Sequence, residues 1–195
     1  MRLAMISTSI LSELKETTRP QHDAIERRVD VMRPDLTRSE YRSLLERFYG
    51  FYAPVETRLE AIHRATPLLA DFAQRRKTAN LGTDLAALGL TPAQIAALPL
   101  CADLPHLDSP PETLGCLYVM EGATLGGQLI SRHVIKTLAL TPQAGCAFFS
   151  SYGDRVGSMW RAFGNHLRHF EDDPAARQQI VAAAQETFRK MEQWL

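Results

Sequence analysis

His22 sits in the segment Leu14-Lys-Glu-Thr-Thr-Arg-Pro-Gln-His22-Asp-Ala-Ile-Glu26, where residue type and spacing together could bind a metal. On a helix, Lys15, Thr18, His22 and Glu26 fall at i, i+3, i+7 and i+11, close to one face. An imidazole offers a metal one nitrogen, and a carboxylate one turn beyond can orient the ring or take its second N–H. Lys15, two turns earlier, would reach an anionic group on the same ligand. A partly exposed histidine in a charged helix carries the same pattern, so this segment alone leaves both readings open. The second segment, Tyr118-Val-Met-Glu-Gly122-Ala-Thr-Leu-Gly126-Gly127-Gln128, puts three glycines into an otherwise helical stretch. Each glycine costs about 1 kcal/mol relative to alanine, about 3 kcal/mol in all, so some gain must offset them. Gly122 and Gly126 lie one turn apart and face the same way, with Gly127 adjacent. Close packing of helices is one such gain, and a large flat ligand against bare backbone is another. Read together, the two segments point to a planar metallocofactor held between two helices.

Other groups carry less. His166 and His169, three apart and followed by Glu171, Asp172 and Asp173, have the form of a metal patch or of a solvated helix end. His63, His106 and His133 have no partner pattern and read as structural. Cys101, Cys116 and Cys146 are widely spaced, which gives neither a disulfide framework nor a zinc site and suits a reducing cytosol. Gly126-Gly127 follows no strand and lacks the spacing of a dinucleotide fingerprint. Lys plus Arg and Asp plus Glu both number 22, so no bulk charge favours nucleic acid or an anionic membrane. No apolar run reaches the ~18–20 residues of a membrane span. Met1 to Leu11 is too short and polar for a signal peptide, and the expectation is a cytoplasmic protein.

Long helices must position these groups, and the chain is punctuated for them. Thr37-Arg-Ser-Glu40, Thr91-Pro-Ala-Gln94 and Ser109-Pro-Pro-Glu112 each have the capping-box form. Thr141-Pro142 and Asp173-Pro174 read as further starts with proline in the first turn. Tyr41, Leu44, Leu45, Phe48, Phe51, Tyr52 and Val55 make an apolar stripe at helical spacing, and Ile180, Ala184, Phe188 and Met191 make another. No run alternates as a strand would. The expectation is one all-α domain over 1–195, with helices over 9–30, 37–64, 68–88, 92–97, 110–139, 143–171 and 174–194. Pro20 either kinks the first helix or begins it.

The pattern Lys15-Glu-Thr-Thr-x-x-x-His22-x-x-x-Glu26 resembles the proximal helix of heme oxygenase, and Gly122-x-x-x-Gly126-Gly127-Gln128 resembles its distal helix. Thr37-Arg with the Tyr41 to Glu56 stripe, and Pro174 through Phe188, are similar to further helices of that family. The likeness spans most of the chain and is greatest to the bacterial biliverdin-producing branch, including enzymes that supply bacteriophytochromes. It implies an all-α bundle with heme as both cofactor and substrate, and His22 as axial iron ligand with Glu26 behind it. It implies Lys15 and Arg161 near the propionates, Tyr118 as a hydroxyl donor to a propionate, and Gly122, Gly126 and Gly127 over the face where oxygen reacts. Ala123 stands where animal-type members carry a distal aspartate. Val119 and Met191 replace polar groups of other branches, and Glu121 points about 200° away from Ala123.

On this resemblance the activity is heme cleavage with O2 and electrons from an external ferredoxin- or reductase-type donor, giving biliverdin, CO and iron. The biliverdin acceptor would be a bacteriophytochrome. A heme-binding protein for transfer or sensing would share His22 and the pocket without turnover. A thiaminase-like hydrolase of the same architecture would need Cys116 as nucleophile, and no paired base is evident for it.

Overall fold

The computed structural model describes residues 9–195, so most of the N-terminal stretch read against a signal peptide lies outside the described residues. Among the described residues the chain forms nine α-helices and no named strand. They are α1 (Ile10–Thr17), α2 (Arg19–Val29), α3 (Arg38–Ala65), α4 (Phe72–Arg75), α5 (Thr78–Ala87), α6 (Pro92–Ala96), α7 (Pro110–Leu138), α8 (Val156–Leu167) and α9 (Pro174–Trp194). The capping boxes behave as their sequences require at α3, α6 and α7, where Thr37, Thr91 and Ser109 each accept from the backbone three residues on.

The expected helix over 9–30 is two helices. Pro20 has no N–H to return to the preceding turn, and α1 stops at Thr17. The side chain of Gln185 donates to the Thr17 carbonyl at 3.1 Å at this break. Lys15 and His22 therefore belong to different helices, not to one continuous face. The helix expected over 68–88 is likewise divided into α4 and α5.

The helix expected over 143–171 begins only at Val156. Residues 141–155 form a looped segment instead, for three physical reasons. Gly145 and Gly153 take left-handed backbone at φ +96 and +52. The buried Asp84 carboxylate accepts from the Ala147 and Phe148 N–H groups at 2.6 and 2.8 Å. The buried Tyr41 hydroxyl donates to the Gly145 carbonyl at 3.0 Å. This segment delivers Phe148 and Phe149 to an aromatic centre with Phe48 and Tyr52, at ring separations of 5.0–6.2 Å.

α7 and α9 pack along one another, and Gly115 makes their approach possible. A Cβ at Gly115 would run into the Ile180 carbonyl and the Ala183 side chain. α9 also packs on α1 and α2, while α3 packs on α5. α7 ends with Ala139 in left-handed backbone at φ +50, and Arg38 donates to the Leu138 carbonyl through Nε at 3.0 Å and Nη2 at 2.8 Å.

Candidate functional site

α2 begins at Arg19 with Pro20 in its first turn and ends where Asp30 takes a left-handed backbone. None of its side chains is fully buried, and His22 keeps 55% of its side-chain surface exposed. Its Nδ1 lies 3.9 Å from Asp23 and 3.8 Å from Glu26, too far for hydrogen bonds. The ring meets Phe188 of α9 edge-on, with centroids 6.0 Å apart. Gln21, one residue earlier, keeps a buried Oε1 that has no hydrogen-bond partner. A braced, exposed imidazole with carboxylates drawn to one nitrogen has its other nitrogen free for a metal.

On α7, Tyr118, Gly122, Leu125, Gly126 and Leu129 share one face at helical spacing. Leu125 and Leu129 are 42% and 62% exposed, although both are large and apolar. A Cβ at Gly126 would meet nothing within 4 Å, and one at Gly122 would only touch the Trp160 ring at 4.0 Å. This is open, greasy and partly bare helix surface. Burial raises the Tyr118 phenol above its ordinary pKa, with its hydrogen bond to Thr18 acting the other way. That contact joins α7 to the start of α2 one turn before Gly122 and one turn before His22. Trp160 of α8 lies against Tyr118, with centroids 5.7 Å apart. The adjacent Arg161 and, on α1, Lys15 are exposed and make no ion pair among the described residues.

Gly127 faces elsewhere. One residue beyond Gly126 turns it by about 100°, and its Cβ would lie 2.9 Å from the Phe149 carbonyl. Its lack of a side chain serves packing against the looped segment and not the open face. Cys116 is fully buried, and burial pushes its thiol up to about 12, against a nucleophilic role and a hydrolase reading. His63 stacks on Phe72 with centroids 4.5 Å apart and accepts from Leu68 N–H at 3.2 Å, which is a structural task. His133 contacts the Arg33 carbonyl at 3.0 Å. His166 and His169 pair ring to ring at 5.7 Å, and their neighbouring acids form no cluster with them of the kind found at His22, Asp23 and Glu26 among the described residues.

The sequence profile of the heme oxygenase family matches residues 8–195. The chain belongs to the heme oxygenase family. Solved structures agree in fold. Heme oxygenase from Neisseria meningitidis, in NO- and CO-bound forms, superposes with a TM-score of 0.79 at 23% identity, covering 95% of this chain and 89% of that one. Heme oxygenase from Leptospira interrogans gives 0.77 at 20%, covering 96% and 98%. Heme oxygenase 2 from Chlamydomonas reinhardtii, without heme, gives 0.71 at 18%, covering 95% of each. Comparison with curated proteins finds no match. Family and fold together support heme degradation as the general activity, and no described helix is long and apolar enough to cross a membrane.

Within this heme oxygenase frame, sequence reasoning missed Leu125 and Leu129. Their spacing around Gly126 was readable, but apolar residues at helical spacing normally mark a core. It also missed Arg75, Lys77 and Tyr152. Each is an ordinary residue in sequence, and only the fold brings them to Glu121.

Proposed function

We propose that this protein binds heme between α2 and α7 and cleaves it with O2 to biliverdin, CO and iron. The observation that carries the reading is the exposed glycine–leucine face of α7, at Gly122, Leu125, Gly126 and Leu129. A soluble helix gains nothing by presenting bare backbone between two exposed leucines unless an apolar sheet covers it. The residues fit heme. His22 offers a ring nitrogen to iron, and Glu26 and Asp23, both within 4 Å of Nδ1, would orient the ring if either closed on it. Phe188 limits the tilt of the ring. Lys15 and Arg161, which make no ion pair among the described residues, would meet the propionates, with Tyr118 able to turn from Thr18 to a carboxylate. Gly122 and Gly126 would admit the macrocycle closely, and Gly127 would hold that wall against Phe149.

Heme, when bound, supplies both the iron for oxygen chemistry and the ring that is cleaved. As iron ligand, His22 would not supply the strong electron push that a thiolate gives. With heme bound, Leu125 and Leu129 would be covered and would keep bulk water from the α7 face. Electrons come from an external ferredoxin- or reductase-type protein, and the product would pass to a bacteriophytochrome. The test is to load hemin without oxygen, then admit air with a reductant. Decay of the Soret band with the appearance of a biliverdin spectrum is the expected result, and His22→Ala should lose the histidine-ligated spectrum while keeping its fold. A Soret band that survives air and reductant makes the protein a heme carrier or sensor instead.

A further inference from the structure

His22, Asp23 and Glu26 bring an imidazole and two carboxylates together on α2, and their donor atoms all lie within 4.8 Å of one another. Nδ1 stands 3.9 Å from the Asp23 oxygen and 3.8 Å from the Glu26 oxygen, beyond hydrogen-bond range. Ligands held about 2.0–2.2 Å from a metal ion lie roughly 3–4 Å from each other, so the spacing suits a shared ion better than a shared proton. The carboxylates also leave their ordinary partners unused. Arg19 and Arg27 stand four residues before and after Asp23, the helical spacing for an ion pair. Yet neither Asp23 nor Glu26 pairs with any cation but His22 among the described residues. Side-chain exposures of 55%, 48% and 67% at His22, Asp23 and Glu26 leave room for water to complete a coordination shell. Phe188 meets the imidazole edge-on and keeps it at the helix surface.

We propose that the heme-free protein binds a divalent first-row transition ion, of the zinc and ferrous class, at His22 Nδ1, Asp23 and Glu26, and that this ion excludes heme from His22. The inference deepens the heme-cleaving reading and rests on it for the exclusion. A neutral imidazole has one nitrogen lone pair and one N–H. An ion on Nδ1 takes the lone pair and leaves the ring proton on Nε2, which then has nothing to offer heme iron. Heme iron on Nε2 leaves the proton on Nδ1, where a carboxylate can accept it and an ion cannot bind. The two occupants compete for one ring through opposite nitrogens and never touch. No electrons move, and the ring proton changes nitrogen through solvent. Imidazole with carboxylates suits zinc and ferrous ions better than magnesium or calcium, which take oxygen ligands. The proposed reaction itself frees an iron ion of this class. The site would therefore let the product restrain a further round of heme loading.

Titration of the heme-free chain with Zn²⁺, followed by calorimetry and by the ¹⁵N signals of the His22 ring, should show an ion on Nδ1 and the proton on Nε2. An unperturbed His22 ring overturns the site. Hemin titrations at rising Zn²⁺ should then show hemin affinity falling, about tenfold when the ion is at ten times its own Kd. Asp23→Asn combined with Glu26→Gln, which alters only half-exposed and exposed side chains, should bind hemin with an affinity that Zn²⁺ no longer changes. Wild-type hemin affinity that ignores Zn²⁺, or competition that survives in the double variant, overturns this inference and leaves the heme reading intact. Fe²⁺ without oxygen should compete as Zn²⁺ does, and its failure to do so overturns the restraint by product. Wild-type protein that takes Zn²⁺ at His22 but never shows a histidine-ligated hemin spectrum overturns the heme reading and the competition together. In that case the ring titration alone upholds the cation site, so the two failures are told apart.

Discussion

Gly126 and Gly127 are the same residue type in adjacent positions, and they do different things. A side chain at Gly126 enters open space, whereas one at Gly127 meets the Phe149 carbonyl. Gly126→Leu should therefore leave the heme-free protein as stable as wild type, or raise stability by up to about 1 kcal/mol through helix propensity. It should weaken hemin binding or stop turnover, because four carbons fill the proposed face. Gly127→Ala should lower stability by about 1–3 kcal/mol, because backbone must move to admit the methyl. Thermal melts of both heme-free variants, with hemin titrations beside them, check the pair; a Gly126→Leu protein that melts early makes Gly126 a packing glycine too. In the sequence, the glycine segment showed that helix propensity had been given up for something. Sequence could not divide that gain between ligand and packing, since one residue of rotation decides it and the Phe149 carbonyl comes from a distant loop.

At the scale of elements, local chemistry was legible and long-range capture was not. α3 starts where Thr37 and Glu40 say it should, and the same box shapes its response to acid. The Thr37 hydroxyl and backbone N–H, with Arg33, hold the Glu40 carboxyl down from 4.5 to about 2. The unfolded chain takes up that proton first, so the box contributes fully above about pH 4.5 and is lost as pH falls toward 2. Glu40→Gln should remove this part of the acid dependence, measured as urea stability across pH 5 to 2.5; an unchanged slope would mean that Glu40 is as free folded as unfolded. Thr141-Pro142 carried an equally plausible start, yet no helix follows. Asp84, nearly sixty residues earlier, takes the Ala147 and Phe148 N–H groups for itself. Pro20 was legible as a disturbance, and the structure resolves it into a break between α1 and α2.

Across the whole molecule, α7 and α9 fix the distance between the two proposed walls. α7 carries the glycine–leucine face, and α9 braces His22 through Phe188. Gly115 sets how near these helices come, since any Cβ there meets the Ile180 carbonyl. Gly115→Ala should cost about 1–3 kcal/mol or more through overpacking. It should also weaken hemin binding, although residue 115 lies about two turns from Gly122. Denaturation midpoints and hemin affinity measured together test this; a stable variant with normal affinity would show that the helices separate freely.

The left-handed Ala139 at the end of α7 leaves the molecule a reserve of thermal stability. Glycine adopts that backbone without steric cost, while alanine holds it because the Arg38 fork secures the preceding carbonyl. Ala139→Gly should raise the melting temperature by about 2–4 °C, the shift that about 1 kcal/mol produces in a chain of this size. The substitution lies more than three turns from Gly126 and leaves every proposed site residue intact. Such a background would tolerate lesions at Gly127, Gly115 or Glu121 that would otherwise unfold the protein, turning failures of expression into measurable enzymes.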